Sequence, residues 1–331
     1  MPKAEALYYE VIAPDRVRCR LCPHHCLIKP AQSGICRVRV NENGKLYTLN
    51  YGEIAALALD PLEKKPLYHF YPDRQILSAG TWGCNFSCSY CQNYRLAHEK
   101  AATDVVMPEQ LVEIALQAKA KGSIGIAFTY NEPSIWFEYV LDTARLMKAN
   151  DLKTVLVTNG FIEHEPLAEL IPFIDAANVD IKAFSEDFYK RNCKGRLKEV
   201  KENVEFMAGK IHVELTNLII PEANDLPRET EAMAEWIASL DPLIPLHLSR
   251  YFPAYKMQRP ATGISAMLKA QTLCLKHLKF VYLGNLPGVI NNTACLQCGE
   301  ALIIRNGYQI EIAGIESGRC IHCGAPVTYI T

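Results

Sequence analysis

Cys84, Cys88 and Cys91 stand at the spacing C-x3-C-x2-C within Ala79-Gly80-Thr81-Trp82-Gly83-Cys84-Asn85-Phe86-Ser87-Cys88-Ser89-Tyr90-Cys91-Gln92-Asn93. Three thiolates on one loop can hold a 4Fe–4S cube and leave one iron without a protein ligand, the open position that chemistry at iron requires. The alternative is a structural zinc site completed by His98 or a distant side chain. Zinc shells usually close with four ligands taken from paired C-x2-C knuckles, and a three-thiolate loop suits them poorly.

Two other cysteine sets flank this loop. Cys295, Cys298, Cys320 and Cys323 form two C-x2-C-G knuckles. Four thiolates make a closed tetrahedral shell, which points to structural zinc first and rubredoxin-like iron second, with no open position for catalysis. Cys19, Cys22, Cys26 and Cys36, with His24 and His25 between them, suit structural zinc or an auxiliary iron–sulfur cluster. Closure by four ligands tilts that expectation toward zinc. Arg18, Arg20, Arg37 and Arg39 nearby can offset thiolate charge. Of the 13 cysteines only Cys193 and Cys274 stand apart from these sets, and Cys274 reads as a small buried hydrophobe. In a reducing compartment such clustering indicates metal ligation before disulfides.

These loops need a frame, and the pattern after residue 72 supplies one. Short β-rich runs alternate with segments of helical period, the signature of βαβ units on a parallel sheet. The strand candidates are 75–79, 124–129, 154–158, 178–181, 212–219, 245–250 and 280–283. Pro108 opens a helix with Leu111, Ile114, Ala115 and Ala118 on one face, and Gly122 closes it. Pro133 opens the next, with the stripe Trp136, Tyr139, Val140, Thr143 and Met147, and Pro227 opens a later one. Six or seven repeats are too few for an eight-fold barrel. The expected fold is α/β: an open, partial (βα)6 TIM-like barrel at 73–286, a Cys-rich N-terminal segment at 1–72 and a zinc-ribbon or rubredoxin-like segment at 287–331. The three-thiolate loop then leaves the C-terminal end of the first barrel strand, where barrel active sites lie.

Composition agrees. The chain has 331 residues, 49% hydrophobic and 21% charged, enough for one large core with appendages. A net charge of −1 without a basic face does not favour nucleic acid. No segment nears the roughly 18 apolar residues of a membrane span, so a cytoplasmic location and no membrane partner are expected.

C-x3-C-x-aromatic-C resembles the signature of the radical S-adenosylmethionine (SAM) superfamily, and the trailing Gln92-Asn93 is similar to its pyruvate formate-lyase activating enzyme branch. The resemblance implies a 4Fe–4S cluster on Cys84, Cys88 and Cys91 that reductively cleaves SAM to a 5′-deoxyadenosyl radical, an oxygen-sensitive, anaerobic oxidoreductase chemistry. It also implies roles for residues at later strand ends. Tyr90 would lie beside the SAM adenine, and Glu132, in Tyr130-Asn131-Glu132-Pro133, would bind the methionine ammonium. Thr158 and Asn159 belong to the Thr158-Asn159-Gly160 motif, Asp180 and Lys182 to Asp180-Ile181-Lys182 with the lysine on SAM. His247, on the last barrel strand, would lie near the ribose. The activases carry an Asp before Thr-Asn-Gly that helps hold a monovalent cation; Val157 stands there, which puts such a site in doubt although Asp180 remains. Independently of the family, Glu132, Asp180, Lys182 and His247 are ionisable groups at apolar strand ends, an arrangement suited to a zwitterionic ligand.

The likeness is nearer to the radical SAM proteins of the AmmeMemoRadiSam system and spans nearly the whole chain. It is carried by Cys19-Arg20-Leu21-Cys22-Pro23-His24-His25-Cys26, the stretch from Asp60 to Pro72, Asn178 to Phe184, His247 to Met257, Tyr282 to Asn285 and the terminal knuckles. It implies Memo-like and AMMECR1-like partners without supplying a substrate, and a low-potential donor such as flavodoxin or ferredoxin. A glycyl-radical activase acting on a protein backbone is the second enzymatic reading, and a non-catalytic zinc-binding scaffold the third. In the segment after His247, Arg250 and Lys256 are candidates for recognising an anionic substrate group.

Overall fold

The computed structural model describes residues 3–331. An open sheet of eight strands forms its centre, ordered along the sheet as along the chain. The strands are β1 (Ala56–Pro61), β2 (Gln75–Gly80), β3 (Ser123–Phe128), β4 (Lys153–Thr158), β5 (Ala176–Asp180), β6 (His212–Ile219), β7 (Leu246–Arg250) and β8 (Val281–Gly284). β2 to β8 run parallel, and β1 pairs antiparallel with β2, Ala56 opposite Gly80. Six βα units closed by a parallel strand are the partial barrel that the alternating pattern implies. The sheet starts earlier than residue 73, because β1 lies within the stretch expected to belong to the Cys-rich N-terminal segment. His247 lies on β7, and β8 follows it, so its strand is next to last in the barrel, not last.

The helices are α1 (Pro108–Ala118), α2 (Phe137–Ala149), α3 (His164–Leu170), α4 (Leu197–Ala208), α5 (Pro227–Leu240) and α6 (Ile264–Cys274). Pro108 stands in the first turn of α1, where no N–H is needed, and Gln110 accepts the Met107 N–H at 2.8 Å. α1 buries Leu111, Val112 and Ala115, with Val112 taking the place expected for Ile114. Trp136, Tyr139, Val140, Thr143 and Met147 are all buried, as their spacing predicts. Each large apolar side chain so buried contributes about 1.5–3 kcal/mol.

Both appendages are tied to the barrel. The N-terminal segment shares the main core through Val17, Leu21, Ile28 and Val38. Fully buried Arg39 pairs with Glu138 of α2, and Glu138 also accepts the Leu7 N–H at 2.7 Å. The C-terminal segment has its own small core of Leu302, Ile303 and Val327 around Cys295 and Cys320. Arg305 docks it, donating to the Tyr68 carbonyl at 2.7 Å and to Thr293 Oγ1 at 2.7 Å. His69 completes the seam: Nε2 meets Tyr282 Oη at 2.7 Å, Nδ1 meets the Tyr329 carbonyl at 3.0 Å, and its own carbonyl accepts the Thr331 N–H at 2.8 Å.

Burial holds the His69 imidazole neutral, lowering it from its ordinary 6.5 to about 3, with Glu214 opposing and Arg305 and His212 reinforcing the shift. Between those two values the open state binds a proton that the docked state does not, so docking weakens as pH falls from about 6.5 toward 3. Amide exchange of the Leu302–Arg305 backbone, corrected for its intrinsic pH dependence, should therefore accelerate by up to about tenfold per pH unit below 6.5. His69→Gln should flatten that dependence. An equal slope in the variant would assign the acid sensitivity to another group.

Candidate active site

At the C-terminal ends of the strands lies a cavity of about 390 Å³ lined by Cys84, Cys88, Cys91, Tyr90, Glu132, Val157, Thr158, Asn159, Asp180 and Lys182. Residues more than ninety positions apart meet here because parallel strands all present the same end to one face. The loop after β2 supplies the thiols. Buried Asn85 fixes that loop, donating to the Phe161 carbonyl at 2.7 Å and accepting from Asn159 Nδ2 at 2.8 Å. The Phe86 N–H points at Cys84 Sγ, 3.3 Å away, the kind of donor that steadies a metal-bound thiolate. His98 stands outside this arrangement and stacks on Tyr255.

Burial, with the Glu132 carboxylate and Cys88 adding to it, pushes the Cys84 thiol well above the ordinary thiol range. The Cys193 contact and burial do the same to Cys88. Thiolates here require a positive partner, and Lys182 is the side chain placed to provide it. Burial alone would lower Lys182; the Asp180 carboxylate, 2.7 Å from its Nζ, and the Cys88 thiol override that and hold the ammonium charged. Glu132 is buried, and its Oε1 accepts Thr158 Oγ1 at 2.7 Å and the Ser134 N–H at 2.9 Å while Oε2 accepts the Asn159 N–H at 2.7 Å. It therefore positions the Thr158-Asn159 turn as well as facing the cavity.

His247 lines a neighbouring cavity of about 900 Å³, which shares Lys64, Ser249 and Asn285 with the first. Register sets Asp180, Thr216, His247 and Tyr282 side by side on one row of the sheet. His247 Nε2 meets Glu214 at 2.6 Å, and a carboxylate only accepts, so Nε2 carries a proton toward Glu214 and Nδ1 stands on the other side of the ring. Arg250 and Lys256 line neither cavity. Arg250 donates to the Thr262 carbonyl at 2.7 Å and covers the Phe252 ring, and Lys256 is exposed. Their segment nevertheless seats on the thiol loop: the Lys256 N–H reaches the Ser89 carbonyl at 2.9 Å, Gln92 donates to the Phe252 carbonyl at 3.2 Å, and Tyr255 stacks on Tyr94.

Several site residues escaped the sequence reading. Cys193 ends a π-helical turn, Tyr189–Cys193, which carries its thiol to 3.3 Å from Tyr90 Oη beneath the loop. Lys64 and Lys65 rim the cavity and pair with Asp60 at 3.1 and 2.9 Å. The charged cluster between Pro61 and Pro66 was the signal; no local pattern aimed it at the mouth.

The C-terminal thiols fit a single tetrahedral ion. All four lie within 4.8 Å of one another, with Cys295–Cys323 at 3.8 Å and Cys298–Cys320 at 3.7 Å. A zinc–sulfur bond of about 2.3 Å gives tetrahedron edges of about 3.8 Å. The N-terminal thiols Cys19, Cys22, Cys26 and Cys36 surround a separate, enclosed cavity behind the loop.

Compared at equal reconstituted iron content, Lys182→Met should bind SAM about tenfold or more weakly than wild type in equilibrium dialysis, some 1.4 kcal/mol. Unaltered affinity would remove Lys182 from the ligand's contacts. Cys320→Ser breaks a closed shell and should cost more than about 2 kcal/mol of stability in denaturant melts, with the activity of the folded fraction preserved. A fully stable but inactive variant would give the tail a part in the chemistry.

A family model described as the radical SAM superfamily matches residues 80–237. An uncharacterised protein of Methanocaldococcus jannaschii is 40% identical over 337 residues, spanning 98% of this chain and 99% of its own. The pyruvate formate-lyase 1-activating enzyme of Escherichia coli K12 is 22% identical over 187 residues, 55% of this chain and 76% of its own. The crystal structure of Streptococcus suis SuiB bound to precursor peptide SuiA aligns with a TM-score of 0.52 at 13% identity, over 71% of this chain and 55% of that one, a likeness of fold alone. With its thiol loop at the barrel mouth inside the matched region, this chain belongs to the radical SAM superfamily and resembles the pyruvate formate-lyase activating enzymes.

Proposed function

We propose that the chain reductively cleaves SAM at a 4Fe–4S cluster held by Cys84, Cys88 and Cys91 and abstracts hydrogen from a substrate above the barrel mouth. The observation that carries this reading is the convergence of those three thiols with Glu132, Thr158, Asn159, Asp180 and Lys182 on one cavity. The donor set suits the group: three thiols on one side and room for a zwitterion on the other. When bound, a reduced cluster with one open iron supplies SAM with the electron that releases a 5′-deoxyadenosyl radical.

The protein's own part is binding, orientation and exclusion of water. Lys182 places a buried ammonium where it offsets thiolate charge and can meet a ligand carboxylate. Glu132 and Thr158 present oxygens toward the ligand's ammonium, and Tyr90 forms an apolar wall for the adenine. His247, oriented by Glu214, offers Nδ1 to a ribose hydroxyl. Arg250 and Lys256, on the segment seated on the thiol loop, are the cations offered to an anionic substrate group beside the mouth.

Small-molecule chemistry with Memo-like and AMMECR1-like partners, fed by a flavodoxin or ferredoxin, ranks above the activase reading. The full-length relative matches both flanking cysteine segments, whereas the activating enzyme matches 55% of the chain. The experiment is anaerobic incubation with SAM, dithionite and candidate partners, followed by mass spectrometry. Wild type should form 5′-deoxyadenosine, and Cys88→Ala should form none and lose the portion of the reduced electron paramagnetic resonance signal that SAM perturbs. Protein purified anaerobically with zinc alone, and no cleavage after reconstitution, would make the chain a scaffold.

A further inference from the structure

The N-terminal cysteines are built differently from the C-terminal ones. Among the described residues, the C-terminal set is the group of three or more metal-binding side chains whose ligand atoms gather within 4.8 Å; no three of Cys19, Cys22, Cys26 and Cys36 do so. Thiol–thiol contacts like those of 3.8 and 3.7 Å in the tail link no two of the four. Instead the four line a small, largely enclosed space that Leu21, Ile28, Ile35 and Ile135 also border. The central thiols, which share the wider spacing, also stand back from a space.

Sulfur spacing discriminates between the two metals. One zinc draws four sulfurs to about 3.8 Å from each other and leaves no void between them. A four-iron cube holds its thiolates on separate irons, about 6 Å apart, and fills the space between them. Four thiols spaced too widely to share one zinc match the second pattern.

The surroundings suit a buried anionic cluster. Arg39 is fully buried with Nη1 3.9 Å from Cys19 Sγ. His24, the nearby side chain with a zinc-ligating ring, is engaged elsewhere, with Nε2 2.8 Å from the Asn85 carbonyl. The site also abuts the central loop: a Cβ at Gly83, φ +92°, would stand 2.7 Å from the Cys36 carbonyl, so only glycine allows this approach.

We propose that Cys19, Cys22, Cys26 and Cys36 hold a second iron–sulfur cluster, of the 4Fe–4S type, packed against the loop that carries the first. This reverses the tilt toward zinc that ligand number alone suggested, and it does not rest on SAM cleavage at the central site.

The test removes the central site and counts metals in the full chain. Cys84→Ala/Cys88→Ala/Cys91→Ala protein, reconstituted anaerobically with iron and sulfide, should retain about four irons and about four sulfides per chain. It should also carry about one tail-bound metal, and a fast-relaxing signal of a reduced cube should appear in electron paramagnetic resonance. About two zincs with no cluster iron, or two irons with the spectrum of a 2Fe–2S centre, would overturn the proposal. Should that variant fail to fold, Cys22→Ala/Cys26→Ala in an otherwise intact chain gives the same decision. Iron should drop from about eight to about four per chain with zinc constant. Loss of one zinc with iron unchanged would overturn the assignment.

Discussion

Asn85 ties together three parts of the chain that lie far apart in sequence, and the thiol loop depends on it. Its side chain bonds Phe161 and Asn159, beyond the end of β4, and its carbonyl takes His24 of the N-terminal segment. The residue is fully buried. A loop of ligands has little core of its own, and ordering each residue costs about 1–2 kcal/mol of backbone entropy. Inside a low-dielectric interior a satisfied amide repays that cost and fixes one geometry. Asn159 is fixed in turn, its N–H on Glu132 and its Oδ1 accepting the Phe161 N–H at 2.8 Å. The carboxylate, the turn and the thiol loop therefore form one polar unit.

On the other side of the mouth, a buried charge does similar work. Glu214 is fully buried, yet accepts from His212 at 3.0 Å, His247 at 2.6 Å and the N–H groups of Tyr68 and His69 at 3.0 and 2.7 Å. Burial alone would raise it; these donors, the two histidines foremost, hold it well below the usual carboxylate range. The same carboxylate thereby orients His247 and anchors the segment to which the C-terminal tail docks through His69 and Arg305. Removing one donor would leave a buried charge short of partners, an expensive change relative to any surface ion pair.

The three cysteine sets differ in what surrounds them more than in composition. The tail set closes on one point at the surface, where Cys298 and Cys323 remain exposed. The central set opens on a large cavity that also receives Lys182, so its ligand field is completed from outside the thiols. The N-terminal set lines a small space behind the loop, with Cys19 and Cys36 buried and Arg39 and Glu138 forming a buried pair beside it. Ligand count is alike in the two flanking sets; sulfur spacing and access to the cavity separate them.

Much was legible in the sequence because it is written locally. Strand alternation, proline at helix starts and the spacing of Trp136, Tyr139, Val140, Thr143 and Met147 depend on neighbours within a turn or two, and the strands lie within about two residues of their expected bounds. The cysteine groupings were equally plain, as was the placing of Glu132, Thr158, Asn159, Asp180 and Lys182 at strand ends. Tertiary structure alone decided what depends on distance and direction. Cys193 reaches Tyr90 only through the turn of an unrelated segment. Lys64 and Lys65 face the mouth only because β1 pairs with β2. His247 turns toward Glu214 and away from the thiols because sheet register, not sequence spacing, sets its neighbours. Whether four thiols close on one ion or stand too far apart to share one is likewise a matter of through-space geometry, since identical ligand counts satisfy both. Sequence spacing limits how far apart two ligands can be; only packing of the intervening chain fixes how far apart they are.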